Sequence, residues 1–162
     1  MAAIANPLIN ITLQGRHDTY PKRRGMTRAP ELIAAGVTVA FGHDCVMDPW
    51  YSFGSADMLD VAHMAIHVAQ MTSLDGIAQA YVGITTNPAK ILHLDGYGIA
   101  PGCRADLVVL QAADPFEAIR LKAARLFVLR AGQVIARSAV RETQLSLPGA
   151  SARTMNLEFA GN

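Results

Sequence analysis

The run "GVTVAFGHD", residues 36 to 44, constrains this chain more than any other stretch. Val37–Phe41 is an uninterrupted apolar and β-branched segment, the pattern of a strand buried on both faces. It arrives directly after "TRAPELIAAG", which reads as a short helix with Thr27 as its cap, Pro30 in its first turn and Gly36 as its stop. A helix running straight into a buried strand implies a parallel sheet and an α/β class. Upstream, "NPLINITLQ" is a β-branched run readable as the end of a strand that opens into the basic loop "GRHDTYPKRRG".

Downstream, "SADMLDVAHMAIHVAQM" places Met58, Val61, Ala62, Ala65, Val68 and Ala69 on roughly one helical face, with Ser55 as N-cap. It is the longest helix expected. "LDGIAQAYVGIT" predicts a shorter helix ending near Gly83, and "TTNPAKILHLD" another, with Asn87 as cap and Pro88 at the first helical position. From Gly96 the texture changes. "GYGIAPGCRADLVVLQ" reads as a turn entering a strand, and "RLFVLRAGQVIARS" as two strands around a tight Ala131-Gly132 turn. A boundary is therefore expected near Asp95, dividing residues 1–95 from a β-rich segment over 96–138; residues 139–162 show no sustained period and read as a surface extension.

With 14 Lys and Arg against 13 Asp and Glu, the net charge is +1, which argues against nucleic acid or an anionic membrane as partner and favours a small molecule. No apolar stretch approaches the ~20 residues of a membrane helix. The two cysteines, Cys45 and Cys103, are far apart and fit free thiols in a reducing cytoplasm. Hydrophobic residues make up 51% of 162, more than a chain this short hides easily, and the expectation is a piece of something larger or an oligomer.

The chemistry-bearing residues cluster after the buried strand. Asp44 either caps a turn or serves a site at the strand end. Asp48, before Pro49, starts a turn. Trp50, the only Trp, is either a lid or the aromatic wall of a planar-ring pocket. His43 falls on the opposite side of the strand from Asp44 if the strand continues that far, leaving it at most a supporting role. Gln14, with Gly15 and Arg16, either touches substrate or anchors the basic loop. His63 and His67 have the i,i+4 spacing of a zinc helix, but Met64 stands where a protease of that kind has Glu, and packing or surface roles are favoured. His17 and His93 read as loop and helix-end residues. Phosphate-loop, dinucleotide, serine-hydrolase and small zinc nucleoside deaminase signatures are missing.

The blocks "NPLINITLQGRHDTYPKRRG", "FGHDCVMDPWY" and "GSADMLDVAHMAIHVAQM" resemble, over most of the chain, the C-terminal part of bacterial cytosine deaminases. "GIAPGCRADLVVLQ" and "VLRAGQVIA" resemble the closing β-segment of the wider metal-dependent amidohydrolase superfamily. The resemblance implies the last strands of a (β/α)8 barrel followed by a small β-sandwich segment, with the family's first, fifth and sixth strands not represented. It also implies one divalent ion, iron or zinc, held by three His from strands outside this chain and by Asp44 at the end of the eighth strand. Asp44 would then be ligand and general base. By the same resemblance Trp50 is the aromatic wall, and Cys45 stands where the family usually has a second Asp near the pyrimidine. A small neutral side chain there removes a charge and admits a different ring or ring substituent; the plain alternative is a small packed residue.

The activity implied by the resemblance is hydrolytic deamination of cytosine or a related heterocycle by a complete, cytoplasmic, homo-oligomeric enzyme. Isoguanine, creatinine and s-triazine deaminases are the alternatives within the superfamily, and a non-catalytic truncated module is the alternative outside it. The 162 residues alone are expected to be inactive and to self-associate through unpaired strand edges.

Overall fold

The fold opens with a parallel strand pair. In the computed structural model, which describes residues 1–149 and the backbone of 153–155, strand β1 (Ala2–Ala5) pairs with β2 (Thr38–Phe41), Ala2 opposite Thr38 and Ala5 opposite Phe41. Val39, Ala40 and Phe41 are all buried, as the unbroken apolar run requires. The connection between the strands holds two short helices, α1 (Pro7–Leu13) and α2 (Ala29–Ala34).

Helix α1 corrects the expectation of a strand in "NPLINITLQ". The strand lies earlier, in the small residues of "AAIA", and Pro7 begins a helix because the first-turn N–H it lacks would have no partner anyway. Leu8 and Ile9 are buried, and α1 packs on the long helix α3 (Met58–Val68). That packing outweighs the modest helix reluctance of the β-branched residues. Helix α2 lies where expected, but its N-cap is Arg28, whose side chain pairs with Glu31 and makes no capping bond, rather than Thr27. Gly36 adopts φ +76 and ends it, with the Val37 N–H reaching back to the Leu32 carbonyl.

Three further helices pack on β2: α3, α4 (Leu74–Ile84) and α5 (Thr86–Ile91). Helices α3 and α4 are equally long, at 11 residues each. Asp57, not Ser55, caps α3 by accepting the Leu59 N–H, while Ser55 Oγ donates to Asp60 Oδ2 at 2.8 Å. Asn87 does not cap α5 either. Its amide donates to the Val39 carbonyl at 2.7 Å, tying the helix to the strand 48 residues earlier.

The segment expected to be β-rich is mixed. Strand β3 (Leu107–Leu110) leads to helix α6 (Pro115–Leu121), then to the antiparallel hairpin β4 (Arg125–Arg130) and β5 (Gln133–Arg137), giving a three-stranded sheet in the order β3-β4-β5. The Ala131-Gly132 turn is where it was expected, with φ +47 and +77. Helix α6 was not expected, although Asp114 accepts the Glu117 N–H and Pro115 occupies the first turn. It carries the fully buried Ile119 into the same core as α3 and α4. Strands β6 (Thr143–Leu145) and β7 (Arg153–Met155) pair antiparallel within the stretch read as a surface extension, the rest of which from residue 150 lies outside the described residues. Among the described residues, no helix is long and apolar enough to cross a membrane.

Candidate active site at the strand ends

Because β1 and β2 are parallel, their C-terminal ends open on the same edge, the edge where α/β enzymes place reactive groups. The Gly42 N–H extends the ladder to the Ala5 carbonyl at 2.9 Å, and the next residues, Asn6 and Asp44, meet: Asn6 Nδ2 donates to Asp44 Oδ2 at 2.9 Å. Gly42 permits this closure, since a Cβ there would lie 2.5 Å from Asn6 Oδ1. Asp44 itself adopts φ +65, the left-handed region that L residues other than Asn and Asp seldom enter, and its side chain is exposed.

The loop behind Asp44 is organised by a second carboxylate. Asp48 Oδ1 accepts the Trp50 and Tyr51 N–H groups, each at 2.9 Å, and two main-chain bonds, Asp48 N–H to Tyr51 O and Met47 N–H to Phe53 O, close the turn. Trp50 is thereby held outward, 67% exposed. The Cys45 thiol donates to Asp44 Oδ1 at 3.3 Å and also bonds the Asp48 carboxylate. Hydrogen bonding to Asp48, followed by desolvation and the bond to Asp44, pushes the thiol pKa up to about 12, so Cys45 is a neutral donor. The Tyr51 N–H, with the thiol and the Trp50 N–H, holds Asp48 below the usual carboxylate value.

His43 supports the loop from beneath. It is buried, its Nδ1–H donates to the Cys45 carbonyl at 2.8 Å, and its ring meets Tyr51 edge-on at 6.0 Å. That bond leaves Nε2 without a partner among the described residues. Gly54, at φ +93, lies against Cε1 of the ring, where a side chain would collide. Sequence reasoning did not find Asn6 as the partner of Asp44. Nor did it find the second function of Asp48, although Asp before Pro signals a turn.

Gln14 ends α1, and its side chain lies against Gly25 in the basic loop, where a Cβ would sit 2.5 Å from Oε1. His63 and His67 stand on α3, their rings 4.5 Å apart. His17 accepts from Arg16 Nε, and His93 follows α5 at φ +52. Two clefts of about 240 and 210 Å³ are lined by other residues than Asp44, the smaller reaching Tyr51 and Gly54. As a metal donor, Asp44 fits one position only. No group of three or more His, Cys, Asp or Glu able to hold an ion occurs among the described residues, so these residues do not complete a centre.

A parallel strand pair packed against helices, with a carboxylate at its C-terminal edge, is an α/β arrangement. The chain belongs to the amidohydrolase family, whose sequence profile matches residues 1–143; members of this superfamily are generally metal-dependent. It is 38% identical over 141 residues to a pterin deaminase of Rhizobium rhizogenes, covering 85% of this chain and 32% of that protein. It is 32% identical to an N-isopropylammelide isopropyl amidohydrolase of a Pseudomonas species, over 68% of this chain and 28% of that one. Among solved structures, 5-methylcytosine deaminase from Klebsiella pneumoniae, liganded with 5-fluorocytosine, superposes with a TM-score of 0.84 at 37% identity, over 93% of this chain and 36% of that one. The chain thus spans about a third of the length of the relatives it matches. They are hydrolases of small heterocycles, in line with the expected class.

Proposed function

We propose that Asp44 and its loop form the last-strand rim of an active site that hydrolytically deaminates an amino-substituted planar heterocycle, with cytosine or a 5-substituted cytosine as the first candidate. The observation that carries this is the Asp44 carboxylate: held at a strand's C-terminal end in a left-handed conformation, it is partnered by an amide and a thiol and, among the described residues, by no cation. A carboxylate so placed keeps its charge available. In this reading it takes a proton from the water that adds to the ring carbon bearing the amino group, then delivers it to the departing nitrogen, which leaves as ammonia. The Asn6 amide keeps Oδ2 oriented while donating no removable proton of its own.

A divalent ion, iron or zinc, bound by Asp44 and by imidazoles from outside these 162 residues, would lower the pKa of that water toward ~7. Trp50 supplies a flat apolar face for the ring. Cys45, neutral and small, leaves room where a carboxylate would crowd a ring substituent, and the likeness to a 5-methylcytosine deaminase supports that choice. The likeness to a pterin deaminase supports a larger ring as the alternative, beside isoguanine, creatinine and s-triazines. For Gln14, the packing on Gly25 favours loop anchoring over substrate contact. We also propose that the three-stranded sheet β3-β4-β5 belongs to a β-sandwich, and that the complete enzyme is a cytoplasmic homo-oligomer.

The test is a graft: residues 1–143 replacing the matching segment of the Klebsiella pneumoniae enzyme, assayed for ammonia release from 5-methylcytosine, cytosine, pterin, isoguanine and creatinine and for isopropylamine release from N-isopropylammelide. Turnover of one of these is expected, and none from the 162-residue chain alone. A folded graft inactive on all six contradicts the proposal, as does turnover by the chain alone.

A further inference from the structure

A pair of imidazoles remains outside the site just described. His63 and His67 stand one turn apart on α3, over a cleft of about 240 Å³ whose apolar floor is made by Ile66, Ile77, Phe116 and Ile119. Their ring centroids are 4.5 Å apart and their planes 38° apart, so the two imidazoles lie within reach of one ion, and both line the cleft. The His67 ring is fixed in one tautomer, because Nδ1 lies 2.6 Å from the His63 carbonyl, which can only accept. Nδ1 therefore donates, which leaves Nε2 as the nitrogen available to an ion. A ring N–H on a backbone carbonyl is the arrangement metal-binding histidines adopt for the nitrogen that does not ligate.

We infer that His63 and His67 form a two-imidazole site for a divalent transition-metal ion at the mouth of the α3, α4 and α6 cleft. Burial, then the neighbouring His67 and Lys122, lower the His63 pKa, against an opposing pull from Asp60. The charge of Arg120, which also lines the cleft, is offset by Glu117, whose Oε1 accepts from Nη2 at 2.7 Å and from Nε at 2.9 Å. Two nitrogen donors leave the ion's remaining positions to water or to a ligand entering the cleft. Imidazole donors suit Zn²⁺, Ni²⁺ and most strongly Cu²⁺. With Met64 in place of an acidic residue, the site has no built-in base. It is a binding site, not a hydrolytic one.

The 162-residue chain, freed of metal, is titrated with Zn²⁺ by calorimetry and with Cu²⁺ by electron paramagnetic resonance. One equivalent per chain is expected to bind with two nitrogens in the Cu²⁺ spectrum, and affinity should fall at least about tenfold in His67→Asn. Because His67 is exposed, that variant does not threaten folding; His63→Gln should lose the same binding. Asp44→Asn should leave it unchanged, which separates this site from the proposed catalytic loop. No binding of either ion at about 100 μM, or binding by His67→Asn as tight as in the parent chain, overturns the inference.

Discussion

Two aspartates, each beside a strand, show how differently the same side chain is used in the two halves of this molecule. Asp106, just before β3, is nearly enclosed: its Oδ1 accepts the Ala131 N–H at 2.7 Å, and its Oδ2 takes Arg104 Nε at 2.7 Å and Arg130 Nη1 at 3.0 Å. Two guanidinium groups cancel its charge, and the turn N–H locks it to the β4-β5 hairpin. Asp44, just after β2, is exposed and among the described residues meets only an amide and a thiol, at 2.9 and 3.3 Å. A neutralised carboxylate holds a fold together. One left with neutral donors keeps the capacity to bind a cation or accept a proton, and it occupies strained backbone to do so.

The contrast can be pressed first at the thiol between the carboxylates. Asp48→Asn removes the acceptor that does most to keep Cys45 protonated, so its pKa should fall and the thiolate fraction at pH 8 rise. Iodoacetamide labelling of Cys45 should accelerate about 10–100-fold, with Cys103 as internal reference; an unchanged rate would mean that Asp48 does not hold the thiol. In the graft, Cys45→Asp places a second charge beside Asp44. Preference between cytosine and 5-methylcytosine should shift about tenfold toward cytosine, about 1.4 kcal/mol of differential transition-state binding. Equal kcat/KM ratios in the two grafts would remove Cys45 from the pocket.

Asp106→Asn should act on stability alone. The Ala131 N–H, then Arg104 and Arg130, hold the Asp106 pKa below its ordinary value of 3.8. Its contribution is therefore present above that value and is lost as pH falls through the lower folded-state pKa. The variant should unfold at lower urea at pH 7, and the gap to the parent should close below about pH 4; a gap that persists in acid would show that charge is not its source. The smallest effect is expected at Ala131, a non-glycine residue at φ +47 in the hairpin. Ala131→Gly should stabilise by about 0.5–1 kcal/mol in urea titrations, while destabilisation would show that the left-handed turn carries no strain.

The two aspartates were unequally legible for physical reasons. The strand ahead of Asp44 is announced by an unbroken apolar and β-branched run, and the hairpin of Asp106 by Ala-Gly between β-branched runs, both local signals. Helices α3, α4 and α5 follow their apolar periodicity. What escaped was decided at long range or by competition among near neighbours. Asn87 reads as a cap, yet bonds Val39 across 48 residues. Ser55 and Asp57 both suit the start of α3, and the aspartate prevails. The β-branched residues of "NPLINITLQ" join a helix because α3 offers their apolar face a partner. Asn6 approaches Asp44 only because β1 and β2 pair in parallel, which no spacing along the chain reveals.

Asp44→Asn in the graft tests most directly whether this loop carries the chemistry. The amide preserves shape and can still meet Asn6 and Cys45, but it has no charge with which to accept a proton or help hold a cation. Ammonia release from the best substrate, measured as kcat against the unaltered graft at equal folded concentration, should fall by at least about 10² to 10⁴ with KM changed far less. Near-normal turnover would contradict the role assigned to Asp44.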